Sequence, residues 1–161
     1  MQVTFAGNPL TLKGTQIKVG DTAPDFLLTD TDLNDISLKD TKGKRVFVVV
    51  PSLDTPICDM SAKRFNEEAA KLDGVSIYVV SMDLPFAQGR WCGATSCDKI
   101  ATLSDYKTRS FGENYGVYIN ELGLLTRSVF ILDENNKVIY VEYCSEIKSD
   151  PNFDAALAAL K

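Results

Sequence analysis

Pro51-Ser52-Leu53-Asp54-Thr55-Pro56-Ile57-Cys58 is the stretch on which the reading of the chain turns. Residues 45–50, Arg-Val-Phe-Val-Val-Val, lead into it and have the apolar, β-branched character of a buried strand. Residues 59–72 follow and read as a helix, because Cys58, Ala62, Phe65, Ala69 and Leu72 recur at spacings of four and three and share one face. Thr55 suits the N-cap, and Pro56 suits the first helical position, where a missing N–H costs nothing. In that register Cys58 falls in the first turn, facing unpaired backbone N–H groups and the positive end of the helix dipole. A thiol so placed is biased toward thiolate, the form that attacks electrophiles. The same cysteine, on an apolar helix face, is also what a core would hold as a small hydrophobe. The local pattern leaves both readings open.

The whole chain narrows the choice. Its 161 residues, 45% hydrophobic and 24% charged, suit one domain over 1–161 with a sizeable core rather than disorder. A net charge of −5 offers no basic footprint for nucleic acid or an anionic membrane. No apolar run approaches the ~20 residues that span a bilayer. Met1-Gln2-Val3-Thr4-Phe5 lacks the charged and apolar regions of a secretory signal, so a cytoplasmic location is expected. Thiols are mostly reduced there, and a disulfide would be catalytic rather than structural.

The chain has no histidine. That excludes Cys–His and Ser–His couples and mixed Cys/His zinc sites. Activation of Cys58 must then come from the helix end, from hydroxyls and from Arg or Lys. Four cysteines remain: Cys58, Cys92, Cys97 and Cys144. A four-thiolate zinc site would have to join Cys92-x4-Cys97 to two distant single cysteines, whereas structural zinc sites usually present two close pairs.

Taken in order, residues 2–5 and 10–13 alternate around Gly7-Asn8-Pro9 and predict an N-terminal β-hairpin. Short strands are expected near Leu27-Leu28 and Ile36-Ser37-Leu38, and a buried strand over 76–82 after Asp73-Gly74. Residues 83–92 predict a weak helix with Pro85 near its start, residues 100–103 a short strand, and residues 105–115 a helix stopped by Gly116. Residues 126–133 and 137–144 form a hairpin around Glu134-Asn135-Asn136, and residues 152–161, rich in Ala and Leu, a closing helix. The order β-α-β-α, β-hairpin, α gives an α/β, thioredoxin-like central mixed sheet flanked by helices, with the N-terminal hairpin as an extension. Thioredoxin itself would carry Cys-x-x-Cys at the helix start; here Thr55-Pro56-Ile57-Cys58 has one thiol.

Pro51-x-x-x-Thr55-x-x-Cys58 resembles the active-site motif of the peroxiredoxins. Ser81-Met82-Asp83-Leu84-Pro85-Phe86-Ala87-Gln88, Arg90-Trp91-Cys92-Gly93-Ala94 and Phe5-x-Gly7-Asn8-Pro9 resemble an atypical two-cysteine branch, the thiol peroxidases. The likeness covers essentially the whole chain. It implies that Cys58 is peroxidatic, that Cys92 is resolving through an intramolecular disulfide, and that Arg127 supplies the active-site guanidinium beside Thr55 and Pro51. It implies reduction of hydrogen peroxide and organic hydroperoxides without a cofactor or metal, electrons from thioredoxin, and a homodimer. Cys97 and Cys144 match no motif of the branch. Three other functions compete: a thiol-based peroxide sensor that passes oxidation to a partner, a thioredoxin-like disulfide reductase or chaperone, and a zinc-bound module. Cys58 and Cys92 are 34 residues apart, on different predicted helices. A disulfide needs Cα atoms within roughly 7 Å, so oxidation is expected to open residues 88–96, where Gly89 and Gly93 weaken the helix.

Overall fold

Unbroken apolar runs become strands covered on both faces, with alternate residues of each run entering opposite cores. The computed structural model describes residues 2–55, 65, 67–69, 71–95 and 100–161. Cys58 and Cys97, and with them most of the helix expected over 59–72, lie outside the described residues. Phe65 and residues 67–69 are helical. Among the described residues the strands are β1 (Gln2–Phe5), β2 (Asn8–Lys13), β3 (Leu27–Thr29), β4 (Asp35–Ser37), β5 (Lys44–Val49), β6 (Val75–Ser81), β7 (Ile100–Ser104), β8 (Tyr118–Ile119), β9 (Leu124–Leu125), β10 (Ser128–Leu132) and β11 (Val138–Tyr143). The α-helices whose bounds lie among the described residues are α1 (Pro85–Thr95), α2 (Ser110–Asn114) and α3 (Phe153–Leu160). None is long and apolar enough to cross a membrane.

Seven strands form the central sheet in the order β11-β10-β5-β6-β7-β3-β4. β5, β6 and β7 run parallel, and β10, β11, β3 and β4 extend the sheet antiparallel on either side. Parallel strands with both faces covered lose the apolar–polar alternation, and β5 carries this out residue by residue. Phe47 and Val49 enter one core with Phe130, Phe111, Tyr115 and Phe26, and Val46, Val48 and Val50 enter the other with Ile131, Phe65, Ala69 and Leu157. Each such side chain, fully buried, contributes about 1.5–3 kcal/mol. Phe111 and Tyr115 stack with ring centroids 4.1 Å apart, which seats α2 on the first core. α3 seats on the second through Phe153, Ala156, Leu157 and Leu160, and the Asn152 side chain caps it by accepting from the Ala155 N–H at 3.0 Å.

The expected N-terminal hairpin forms, and it does not stand alone. β2 pairs with β8 and β8 with β9, making a second, four-stranded sheet. Where the chain leaves β2 it crosses the end of α2 so closely that a Cβ on Gly14 would collide with the Glu113 carbonyl. One on Gly116 would come within 2.7 Å of the Thr15 carbonyl oxygen. Both glycines have positive φ, +97° and +69°, so only glycine fits this crossing without strain.

The helix predicted over 105–115 is shorter. Asp105 is fully buried, and its carboxylate accepts from the Phe111 and Gly112 N–H groups at 3.1 and 2.8 Å. Arg109 adopts a left-handed conformation (φ 58°) immediately before α2. The side chain of Asp105 takes the N–H groups that start the helix, so the backbone from 105 to 109 turns instead of continuing the spiral.

At the start of β5, Arg45 is 1% exposed. Its Nε donates to the Gly43 carbonyl at 2.9 Å, its Nη1 to the Thr41 carbonyl and hydroxyl at 3.4 and 3.1 Å, and its Nη2 to the Asp133 carbonyl. The opposite end of the strand feeds Pro51.

Candidate active site

The parallel strands end in polar residues: Ser81 closes β6 and Ser104 closes β7, and both are fully buried. They receive the loop that leaves β5. The Val50 N–H donates to the Val80 carbonyl at 3.0 Å, which carries the ladder one step beyond the strand, and Pro51 is then buried. The loop is held by Asp83. Its carboxylate accepts from the Ser52 hydroxyl (2.7 Å), the Leu53 N–H (2.7 Å) and the Ser81 hydroxyl (2.8 Å). The Ser104 hydroxyl donates to the Asp83 carbonyl. Ser52 Oγ in turn accepts from the Asp54 N–H at 3.1 Å.

Thr55 is half-buried at the end of this loop. Its hydroxyl donates to the Ser52 carbonyl at 2.8 Å, and its N–H reaches the same oxygen at 3.3 Å. A hydroxyl has one proton, so in this arrangement Thr55 offers a ligand only lone pairs. The partners it would have as an N-cap, and Cys58 itself, lie outside the described residues.

Arg127 is 5% exposed and immediately precedes β10. Ser128 pairs with Val49, the last residue of β5, so Arg127 and Pro51 leave the strand pair at the same end. Its Nε donates to the Ile147 carbonyl at 2.8 Å. Burial, the largest influence, lowers its pKa; the neighbouring Cys144 and Asp150 act the other way. An arginine keeps its charge at such a site. Pro51, Thr55 and Arg127 are thus gathered at the same end of the sheet.

Cys92 lies on α1, half-buried, and is in a disulfide whose other half lies outside the described residues. A bonded sulfur has no proton, so its 3.8 Å contact with Thr102 Oγ1 is a hydroxyl donating to sulfur. α1 nonetheless runs unbroken from Pro85 to Thr95. Residues 88–95, part of the stretch expected to open when a Cys58–Cys92 bond forms, are helical here. Gln88, one turn before Cys92, is fully buried. Its Nε2 donates to the Ser81 hydroxyl at 3.1 Å and to the Leu103 carbonyl at 2.9 Å, pinning the helix to β6 and β7 in spite of its two glycines.

Cys144 is a free, buried thiol just past β11. Burial, and after it Glu142, pushes its pKa up to about 12, while Arg127 only partly offsets them. Such a thiol is neutral near pH 7 and a poor nucleophile.

Sequence alone gives no role to Ser81, Asp83, Gln88 or Ser104. Their signal was present as two apolar runs that each end in serine, followed by an Asp two residues on from Ser81. Nothing in that spacing says that the three chain segments converge.

The chain matches the family model described as Redoxin over residues 18–157. It is 55% identical to the thiol peroxidase of Clostridium acetobutylicum over 159 residues, covering 99% of this chain and 97% of that one. It is also 55% identical to the thiol peroxidase of Bacillus subtilis, covering 99% and 96%. Among solved structures, a peroxiredoxin-like protein from Aquifex aeolicus superposes with a TM-score of 0.89 at 41% identity, over 98% of this chain and 94% of that one. The thiol peroxidase from Chromobacterium violaceum shares the fold with the same TM-score at 23% identity, over 99% and 95%.

Proposed function

Because the chain belongs to the Redoxin family and is a peroxiredoxin-type peroxidase, we propose that Cys58 is its peroxidatic thiol and Cys92 its resolving thiol. The substrates are hydrogen peroxide and organic hydroperoxides. The observation that carries the assignment of Cys92 is its disulfide, while Cys144 is buried, free and driven toward its neutral form; Cys58 is assigned from the Pro51-x-x-x-Thr55-x-x-Cys58 motif.

In the first step the Cys58 thiolate attacks one peroxide oxygen. The O–O bond breaks, the leaving oxygen takes a proton as water or alcohol, and Cys58 becomes a sulfenic acid. The Cys92 thiolate then attacks the Cys58 sulfur, the S–O bond breaks, water leaves and a disulfide forms. A thioredoxin dithiol supplies the two electrons that restore both thiols.

Ionisation alone does not make this fast. A free cysteine with a pKa near 8.5 is about 3% thiolate at pH 7. A helix end contributes at most ~2 kcal/mol, about 1.5 pKa units. Full ionisation gains only about 30-fold, and a thiolate of lower pKa is intrinsically less nucleophilic. Placement of the peroxide and polarisation of its O–O bond must supply the larger share. Arg127 stabilises the charge that develops on the leaving oxygen and the thiolate together. Thr55, three residues before Cys58, accepts a hydrogen bond from the hydroperoxide, and donates one when its hydroxyl turns away from the Ser52 carbonyl. Pro51 walls the pocket and excludes water. A homodimer accords with an apolar surface at Leu84 and Phe86, the latter 71% exposed. A cytoplasmic location suits a dithiol reductant.

The test is hydroperoxide consumption with a thioredoxin system, followed over many turnovers. Sustained consumption that ends with Cys58→Ser supports the proposal. Consumption of one equivalent and no more, in the presence of reductant, would mark a sensor instead.

A further inference from the structure

The polar chain beneath the loop joins two segments that the proposed chemistry must bring together. It starts at Ser52 and Leu53, five residues or so before Cys58, passes through the Asp83 carboxylate to the Ser81 hydroxyl, and ends on Gln88, four residues before Cys92. Gln88 is fastened a second time to the Leu103 carbonyl, and the Asp83 backbone to Ser104. Four residues are one helical turn, so Gln88 and Cys92 share a face of α1. We propose that Asp83, Ser81 and Gln88 form a strut that positions Cys92 for disulfide formation, and that they are positioning residues for the resolving step. The proposal rests on the assignment of Cys58 and Cys92 above.

Two features separate a strut from ordinary core stabilisation. Gln88 is fully buried, yet its Oε1 has no hydrogen-bond partner among the described residues. An apolar side chain of the same length would fill the site without that desolvation penalty. What the amide uniquely supplies is Nε2, which bridges two strand ends to the helix. The second feature is that α1 stays helical through Thr95 while Cys92 is bonded, so the strut makes this helix the fixed side of the exchange.

In the step itself the Cys92 thiolate adds to the sulfur of the Cys58 sulfenic acid, the S–S bond forms, the S–O bond breaks, and the oxygen leaves as water with one proton. The competing fate of the sulfenic acid is attack on a second peroxide, which gives sulfinic acid. A strut that aims Cys92 therefore sets the ratio of these products. A misplacement near 1 Å in a reacting pair costs up to ~100-fold, so loss of the strut is expected to slow disulfide formation roughly ten- to a hundredfold.

The variants are Gln88→Met, Asp83→Ala and Asp83→Asn. Gln88→Met keeps the packing and removes both bridging bonds. Asp83→Asn is the conservative rescue: its carbonyl still accepts from the Leu53 N–H and the Ser81 hydroxyl, and its amide donates to Ser52 Oγ. Reduced protein is mixed with hydrogen peroxide, one equivalent for the rate and a several-fold excess for the product count, in a stopped-flow instrument and followed by the fluorescence of Trp91, the chain's one tryptophan, which neighbours Cys92. Disulfide and sulfinic acid are counted by mass. The expected result is slow disulfide formation and more sulfinic acid in Gln88→Met and Asp83→Ala, near-normal values of both in Asp83→Asn, and a modest fall in the melting temperature of Gln88→Met, which takes a donor from the Leu103 carbonyl. A merely structural role would lower the melting temperature and leave the product ratio alone. If wild type makes the Cys58–Cys92 bond and Gln88→Met makes it as fast, the strut is overturned and the cysteine assignment stands. If wild type makes no such bond, the assignment itself falls and the strut with it. Should Asp83→Ala fail to fold, Gln88→Met decides alone.

Discussion

Two buried arginines stand at opposite ends of one strand pair. Arg45, the second residue of β5, pairs with Leu132, and Arg127 immediately precedes Ser128, which pairs with Val49 at the end of β5. They are 1% and 5% exposed, and for both, burial is the leading cause of a lowered pKa. Burial therefore does not tell them apart; the destination of their donors does. Arg45 gives Nε, Nη1 and Nη2 to the oxygens of Gly43, Thr41 and Asp133, which ties the turn before β5 to the end of β10. Arg127 is anchored by Nε to Ile147, at the end of the sheet where Pro51 and Thr55 lie. The first guanidinium is a structural fastener. The second is held by its stem and, under the proposed chemistry, directs its charge at the reacting oxygens.

The largest effect belongs to the group that this distinction presupposes. Cys58→Ser is expected to abolish hydroperoxide turnover, whereas Cys97→Ser and Cys144→Ser stay within about twofold of wild type. Near-normal turnover by Cys58→Ser would leave Arg127 with no thiolate to serve. Next, Arg127→Ala is expected to lower the second-order rate with peroxide by about 10²–10³-fold, the scale of losing one transition-state donor. It should also raise the Cys58 pKa. Arg127→Lys restores only part of the rate, because an ammonium lacks the planar fork. Stopped-flow rates and a thiolate titration read both effects. At the other end, Arg45→Ala is expected to cost about 2–4 kcal/mol in urea unfolding, since it strands buried carbonyls, and to leave the rate per folded molecule unchanged. If the two alanine variants lose rate and stability in the same proportion, the ends are not distinct.

The smallest effect comes from a buried charge of the opposite sign. Burial, only partly offset by the Gly112 and Phe111 N–H groups, raises the Asp105 pKa from 3.8 to about 6. The folded state then holds a proton that the unfolded state releases between these values, so stability falls as pH rises through them. Moving from pH 7 to pH 5 should add about 1 kcal/mol, or roughly 2–4 °C in melting temperature. The carboxylates of Asp40, Glu121, Asp133 and Glu146 are lowered chiefly by backbone hydrogen bonds and act in the reverse sense, at more acid pH. A melting curve that is flat from pH 7 to pH 5 would remove Asp105 as the titrating group.

Much of this molecule was legible in order. The apolar run before Pro51 announced β5, and Glu134-Asn135-Asn136 announced the β10–β11 turn, because both signals are local and periodic. β8 and β9 were not legible: two residues carry no period, and Tyr118-Ile119 becomes a strand only because β2 lies beside it. The helix over 105–115 was overdrawn because side-chain competition by Asp105 leaves no mark in helix propensity. Arg127 was reached through resemblance, while its burial came from a register that sequence does not state. The Asp83–Gln88 strut was least legible, since its members meet only after three strands have aligned.

The second sheet has a further consequence, for the order in which the molecule assembles. β1 and β2 are made first, but the partners that hold them come late: Tyr118-Ile119 in β8, and Ser145, Glu146 and Ile147, which bond to Thr4. At a synthesis rate of about 5–20 residues per second, the hairpin emerges roughly 7–30 s before the last of these partners. A two-stranded hairpin is marginal in water, and this one must wait with an open edge. Pro9 within β2, which has no N–H to offer, and Lys13 at its end make that edge a poor template for another chain.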